Sequence, residues 1–172
     1  MNTTEFLKQF RESITPEGRK LIFDFFISFS RFECALKASN EFANASDKKV
    51  EANWDKFANS IAHIFNPSSN KELKTAVDYI LSEPPKIQTM VNGEINWRER
   101  VFENSSSTTL RLCQHIRDMR NNLFHGGKFN GIYQPEISRN HKLLKNAIII
   151  LDNWLDLNPQ VKSCFFEPIP SR

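Results

Sequence analysis

The chain has 172 residues, of which 40% are hydrophobic and 25% charged, a composition that excludes a disordered segment and suits one domain with a substantial helical core. The net charge of +3 is too small to mark a nucleic-acid binder by itself, and no apolar run approaches the roughly 18 residues of a membrane span. Met1 to Phe10 lacks the basic-then-apolar pattern of a secretory leader, and Cys34, Cys113 and Cys164 form neither a CxxC pair nor a Cys/His cluster, so a cytoplasmic setting with reduced core thiols is expected.

Helical periodicity runs through the chain. Thr15-Pro16-Glu17 is a cap followed by a first-turn proline, and it predicts a helix from Glu17 to about Ala45 that is apolar almost all round, with Leu21, Ile22, Phe25, Phe26, Phe29, Phe32 and Leu36. Val50, Trp54, Phe57, Ile61 and Ile64 recur at spacings of three and four, which predicts a second helix over Lys48 to Phe65, ending at Asn66-Pro67. Leu73, Ala76, Val77, Ile80 and Leu81 predict a third from Asn70 to Ser82.

From Glu83 to Ser107 the periodicity fails. Pro84-Pro85, Asn92-Gly93 and Ser105-Ser106-Ser107 mark an irregular excursion or a small hairpin, in which Trp97 is placed either to pin the loop to the core or to meet a base. A helix from Thr108 to Phe124 follows, with Leu112, Ile116, Met119 and Leu123 on one core-facing stripe. Arg120 flanks that stripe on a helical wheel, whereas Arg117, Asn121 and His125 stand four apart on the far side, which also carries Leu110 and Phe124. A last helix is predicted over Asn140 to Leu157, then an extended strap over 158–172. The expected fold is therefore all-α, an up-and-down bundle of about four to five helices forming a single domain, with its core over 17–157 and an insert at 83–107.

Chemistry concentrates in Arg117-Asp118-Met119-Arg120-Asn121-Asn122-Leu123-Phe124-His125-Gly126-Gly127. Between Arg98 and Lys128 six basic residues face three acidic ones, and the rest of the chain holds 17 of each sign, so the whole positive excess lies around this segment, as an anion-binding surface requires. Gly126-Gly127 can supply the left-handed residue that closes a helix, leaving His125 in the last turn, where exposed carbonyls favour the imidazolium. That position suits acid–base work, and it equally suits a simple C-terminal cap. His63, His115 and His141 have no comparable setting and read as surface or core-edge residues. Glu33 lies on the stripe of Phe26, Phe29 and Leu36, where a carboxylate needs a partner such as a motif-helix arginine, or a place at a cleft. No glycine-rich phosphate loop, HExxH, GxSxG or acidic metal cluster is present; no metal and no cofactor is expected.

Arg120-Asn121-Asn122-Leu123-Phe124-His125, with four positions between the arginine and the histidine, at the end of a late helix in a small helical chain, resembles the HEPN superfamily (higher eukaryotes and prokaryotes nucleotide-binding). The following Gly-Gly and the phenylalanine-rich first helix containing Ser30-Arg31-Phe32-Glu33 add to the likeness, which spans about Glu17 to Leu157. The resemblance implies a homodimer in which two motifs face each other and a metal-independent endoribonuclease of the toxin or antiphage-defence kind. It gives Arg120, Asn121 and His125 catalytic roles and places Arg117, Asn122, Lys128 and Glu33 at the substrate. The partners it implies are RNA, a second copy and an antitoxin or nucleotidyltransferase-like protein, with no membrane. Five residues set Arg120 and His125 about 140° apart on an ideal helix, so a cleft shared by two chains is the natural way to supply both a base and an acid. The rival reading is a HEPN-like dimer that binds nucleotide, RNA or protein without cutting.

Overall fold

The computed structural model describes residues 2–46, 48–124 and 137–167. Helix α1 (Thr3–Ser13) opens on a reciprocal cap, in which Asn2 accepts from the Glu5 amide and Glu5 accepts from the Asn2 amide, both at 2.9 Å. None of its residues is buried. No element is predicted there from the apolar periodicity, which starts only at Glu17.

Helix α2 (Pro16–Ala38) begins where the cap and proline place it, with Thr15 Oγ1 accepting from the Gly18 amide. It ends seven residues before the predicted Ala45. Ser39 closes it, Asn40 adopts the left-handed region at φ +58, and the chain turns into an antiparallel hairpin of β1 (Ala43–Ala45) and β2 (Val50–Ala52). This hairpin corrects the expected helix start at Lys48. Val50 is exposed on a strand, and α3 (Trp54–Ile61) starts only after Asn53, whose side chain caps it by accepting from the Lys56 amide.

Helix α4 (Lys71–Ser82), capped by Asn70, lies within the predicted span. The excursion contains a second hairpin, β3 (Ile87–Val91) and β4 (Glu94–Arg98), turned by Asn92 and Gly93 at φ +52 and +83. Two successive positive φ values at Asn-Gly make the tight turn that matches strand twist. Helix α5 (Thr108–Phe124) has its predicted bounds, α6 (Ile137–Leu157) starts a turn earlier than expected, and α7 (Pro159–Phe166) replaces the predicted extended strap over 159–166. The strap prediction missed the Asn158-Pro159 pair as a start signal: Asn158 accepts from the Val161 amide and Pro159 stands in the first turn.

The protein is thus predominantly helical, with two small hairpins among the described residues. Helix α2 packs on α6 and α7, α4 on α6, and α3 on α5. Their meeting point is aromatic: Phe32 stacks on Trp54 at 5.3 Å between centroids and meets Phe57 and Trp154 edge-on at 5.2 and 6.5 Å. Arg31, next to Phe32 on α2, fixes α7, its guanidinium donating to the carbonyls of Cys164, Phe165 and Glu167 at that helix's C-terminus.

Where α2 starts, it approaches α6 closely. A Cβ on Gly18 would stand 2.5 Å from His141 Nε2 and 2.9 Å from Ile14 Cγ2. Gly18→Ala is therefore expected to destabilise the fold by about 1–3 kcal/mol through overpacking, and His141→Ala in the same chain should recover most of that loss. Urea denaturation of the single and double variants measures the coupling; equal losses with and without His141 would show that the clash lies elsewhere.

Candidate functional site

A cleft of about 540 Å³ opens between α2, the β1–β2 hairpin, the start of α3 and the last turns of α5. Its apolar floor is Phe29 and Trp54, stacked at 4.9 Å between centroids. Its walls carry both signs of charge, with Lys37, Arg117 and Arg120 beside Glu33, Glu51 and Asp55. A volume of this size suits a small ligand or one nucleotide unit.

Helix α5 aims the motif. Leu112, Ile116 and Met119 are buried as predicted, and this orientation turns Arg117, Arg120 and Asn121 towards the cleft. The Arg120 guanidinium lies 6.0 Å from the centroid of the Phe29 ring, and its Nη1 donates to Asn121 Oδ1 at 3.1 Å. The neighbouring amide thus orients the arginine, and the ring face adds a cation–π attraction. Arg117 pairs with Asp55 at 3.1 Å, and Gln114 donates to the same carboxylate oxygen at 2.8 Å.

Of the residues singled out in the sequence, Glu33, Arg117, Arg120 and Asn121 therefore share one cleft. Two expectations need correction. Glu33 takes Lys37, one turn along its own helix, as its ion-pair partner at 2.8 Å, and not an arginine of α5. Asn122, expected at the substrate, is buried on the opposite flank of α5, where its Nδ2 donates to the Lys86 carbonyl at 2.8 Å and ties the base of the β3–β4 hairpin to the helix. His125 and Lys128 lie outside the described residues. Asn44, Glu51, Asn53 and Asp55 are not among the residues expected at the site, because the periodicity assigns Asn44 to the end of the first helix and the other three to the second; Asn40, at the end of α2, is the available signal.

Of the two settings expected for it, His115 takes the core edge and not the surface. It is 4% exposed, with its ring edge-on to Phe102 at 5.0 Å. Burial pushes its imidazole down from 6.5 to about 4, against the attraction of Asp118, and Nδ1 has no hydrogen-bond partner among the described residues. Between those values the unfolded chain binds a proton that the folded one does not, so stability is full above about pH 6.5 and falls as the pH drops towards 4. The loss is expected to reach about 3 kcal/mol, measurable as the difference in urea stability between pH 7 and pH 4.5 for the wild type set against His115→Gln; identical pH profiles would rule out His115 as the cause.

The Cys113 thiol is buried and pushed up to about 12 by desolvation, which makes it a core side chain and no nucleophile; Cys34 is exposed and Cys164 half-buried, and all three are free thiols. Among the described residues no group of three or more His, Cys, Asp or Glu side chains is placed to hold a metal ion, and no described helix is long and apolar enough to cross a membrane. Comparisons of the chain with protein-family models, curated proteins and solved structures give no match.

Proposed function

We propose that the chain is a metal-independent endoribonuclease of HEPN type that works as a homodimer, with the α5 cleft as its RNA site. One observation carries the reading: Arg120 and Asn121, hydrogen-bonded to each other, line a polar cleft of about 540 Å³ at the end of a helix whose next residue is His125. In this mechanism His125 takes the proton of a 2′-hydroxyl, and the 2′-oxygen attacks the adjacent phosphorus. Arg120 holds the phosphate as negative charge builds, and the 5′-oxygen leaves with a proton from the His125 of the second copy. The products are a 2′,3′-cyclic phosphate and a 5′-hydroxyl end.

A second copy has a surface to use. Phe23 is 62% and Ile27 41% exposed on the face of α2 that continues round from Glu33 and Lys37, an apolar stretch beside the cleft of the kind that marks an interface. A contact there would bring two clefts towards one axis, in keeping with a self-complementary dimer.

The test is cleavage of mixed RNAs in EDTA by the wild type and by His125→Ala, with product ends and oligomeric state read together. Cleavage by the wild type alone, leaving cyclic phosphates from an intact dimer, is the expected result. Binding of RNA by both proteins without cutting would replace the nuclease by a binding module, and a variant that falls to monomer would give His125 a role in assembly.

A further inference from the structure

We propose that the β1–β2 hairpin gives the cleft a base preference, with Asn44 and Glu51 reading the Watson–Crick edge of guanine. This rests on the reading of the cleft as a nucleotide site.

The two residues are directly opposite each other in the antiparallel register, so their side chains leave the same face of the hairpin, and both line the cleft. Their polarity is fixed by the cap of α3. The Lys56 amide donates to Asn53 Oδ1 at 2.9 Å, which obliges the Asn53 side chain to offer its Nδ2; that nitrogen donates to Asn44 Oδ1 at 3.1 Å. With its oxygen so engaged, Asn44 presents its amide N–H groups as donors. Beside it, Glu51 is an acceptor. Lys49 bonds one carboxylate oxygen at 2.8 Å, and both side chains of that pair are more than half exposed, so the pair is weak and yields readily to a ligand. The same lysine holds the Glu51 carboxyl below its ordinary range, which leaves the group ionised at neutral pH.

A donor next to a two-oxygen acceptor has one good complement among the four RNA bases. Guanine offers an O6 acceptor next to N1–H and N2–H donors, so Asn44 meets O6 while the two Glu51 oxygens receive both N–H groups. Adenine and cytosine present a single exocyclic amino group and a ring acceptor, matching one carboxylate oxygen. Uracil has one donor between two acceptors and puts a carbonyl against the carboxylate. The cationic end of the cleft, Arg117 and Arg120 on α5, is left for the phosphate.

The experiment is calorimetric titration of the full chain with the 3′-monophosphates of guanosine, adenosine, cytidine and uridine. Guanosine monophosphate is expected to bind about tenfold tighter than uridine monophosphate, as one good bidentate contact allows. Glu51→Gln, which replaces one acceptor oxygen by a donor at an exposed site, is expected to erase most of that ratio with a much smaller change in uridine monophosphate affinity. Arg120→Gln is expected to weaken all four together. Equal binding of the four bases, or a ratio that Glu51→Gln leaves intact, overturns the base-reading role and leaves the nucleotide site standing; no binding of any nucleotide by a folded protein overturns both.

Discussion

On the proposed ribonuclease reading, Arg120→Ala is expected to lower RNA cleavage about 10²- to 10³-fold, the usual cost of removing one preorganised group from a developing oxyanion. The guanidinium is held by the Asn121 amide and by the face of Phe29, so it needs little reorganisation when negative charge builds on a phosphate. Its structural contribution is smaller, because a cation–π contact of this exposure is worth about 0.5–1 kcal/mol. The variant should therefore unfold within about 1 kcal/mol of the wild type and keep the same oligomeric state. Arg120→Lys tests geometry as well as charge: an ammonium lacks the planar fork that can meet two phosphate oxygens at once, and it should restore only part of the activity. Measured cleavage rates, urea stability and light scattering on the three proteins separate the roles. Full activity in Arg120→Ala would remove this residue from the chemistry, and a large stability loss would make it structural.

How much of this cleft was legible in the sequence depended on the length of each periodic run. Helix α5 has its predicted bounds because Leu112, Ile116, Met119 and Leu123 mark one face over three turns, and that face fixes where Arg117 and Asn121 point. The same wheel held the correction for Asn122: it stands about 100° from Asn121 and three residues after the buried Met119, on the side that turns inward. The β1–β2 hairpin was hidden for the opposite reason. Strands of three residues have too little alternation to outvote the helical spacing of Val50, Trp54 and Phe57, so the cleft wall formed by Asn44, Glu51 and Asn53 was absorbed into helix. For Glu33 the place was right and the partner wrong, because a carboxylate four residues before a lysine on one helix is satisfied locally before any neighbouring helix is needed. The β3–β4 hairpin was announced by Asn92-Gly93, whose turn conformation needs no tertiary help.

The rotation of α5 that aims the motif is also held by a buried charge, and breaking it should have the largest effect on stability. Arg100 Nε and Nη2 donate to the two oxygens of Asp118 at 2.7 and 2.6 Å, a fork-to-fork pair joining the segment after β4 to α5. The pair is asymmetric: the Asp118 side chain is 4% exposed and that of Arg100 30%. Arg100→Ala strands a carboxylate away from water and is expected to cost about 3–5 kcal/mol. Asp118→Ala leaves a guanidinium that can turn to solvent, so its cost should be nearer the 1.5–3 kcal/mol of a lost charged hydrogen bond. The double variant Arg100→Met with Asp118→Leu replaces both charges by apolar side chains, and it should return to within about 1 kcal/mol of the wild type. Urea denaturation of the set at pH 7 gives the ordering; if Arg100→Ala costs no more than Asp118→Ala, the carboxylate has another donor or a path to water. Because Asp118 is adjacent in sequence to Arg117 and two positions from Arg120, the Arg100 variant should also turn these arginines away from Asp55 and Phe29. On the proposed reading of the cleft, nucleotide affinity would then fall with stability in Arg100→Ala and recover with it in the double variant.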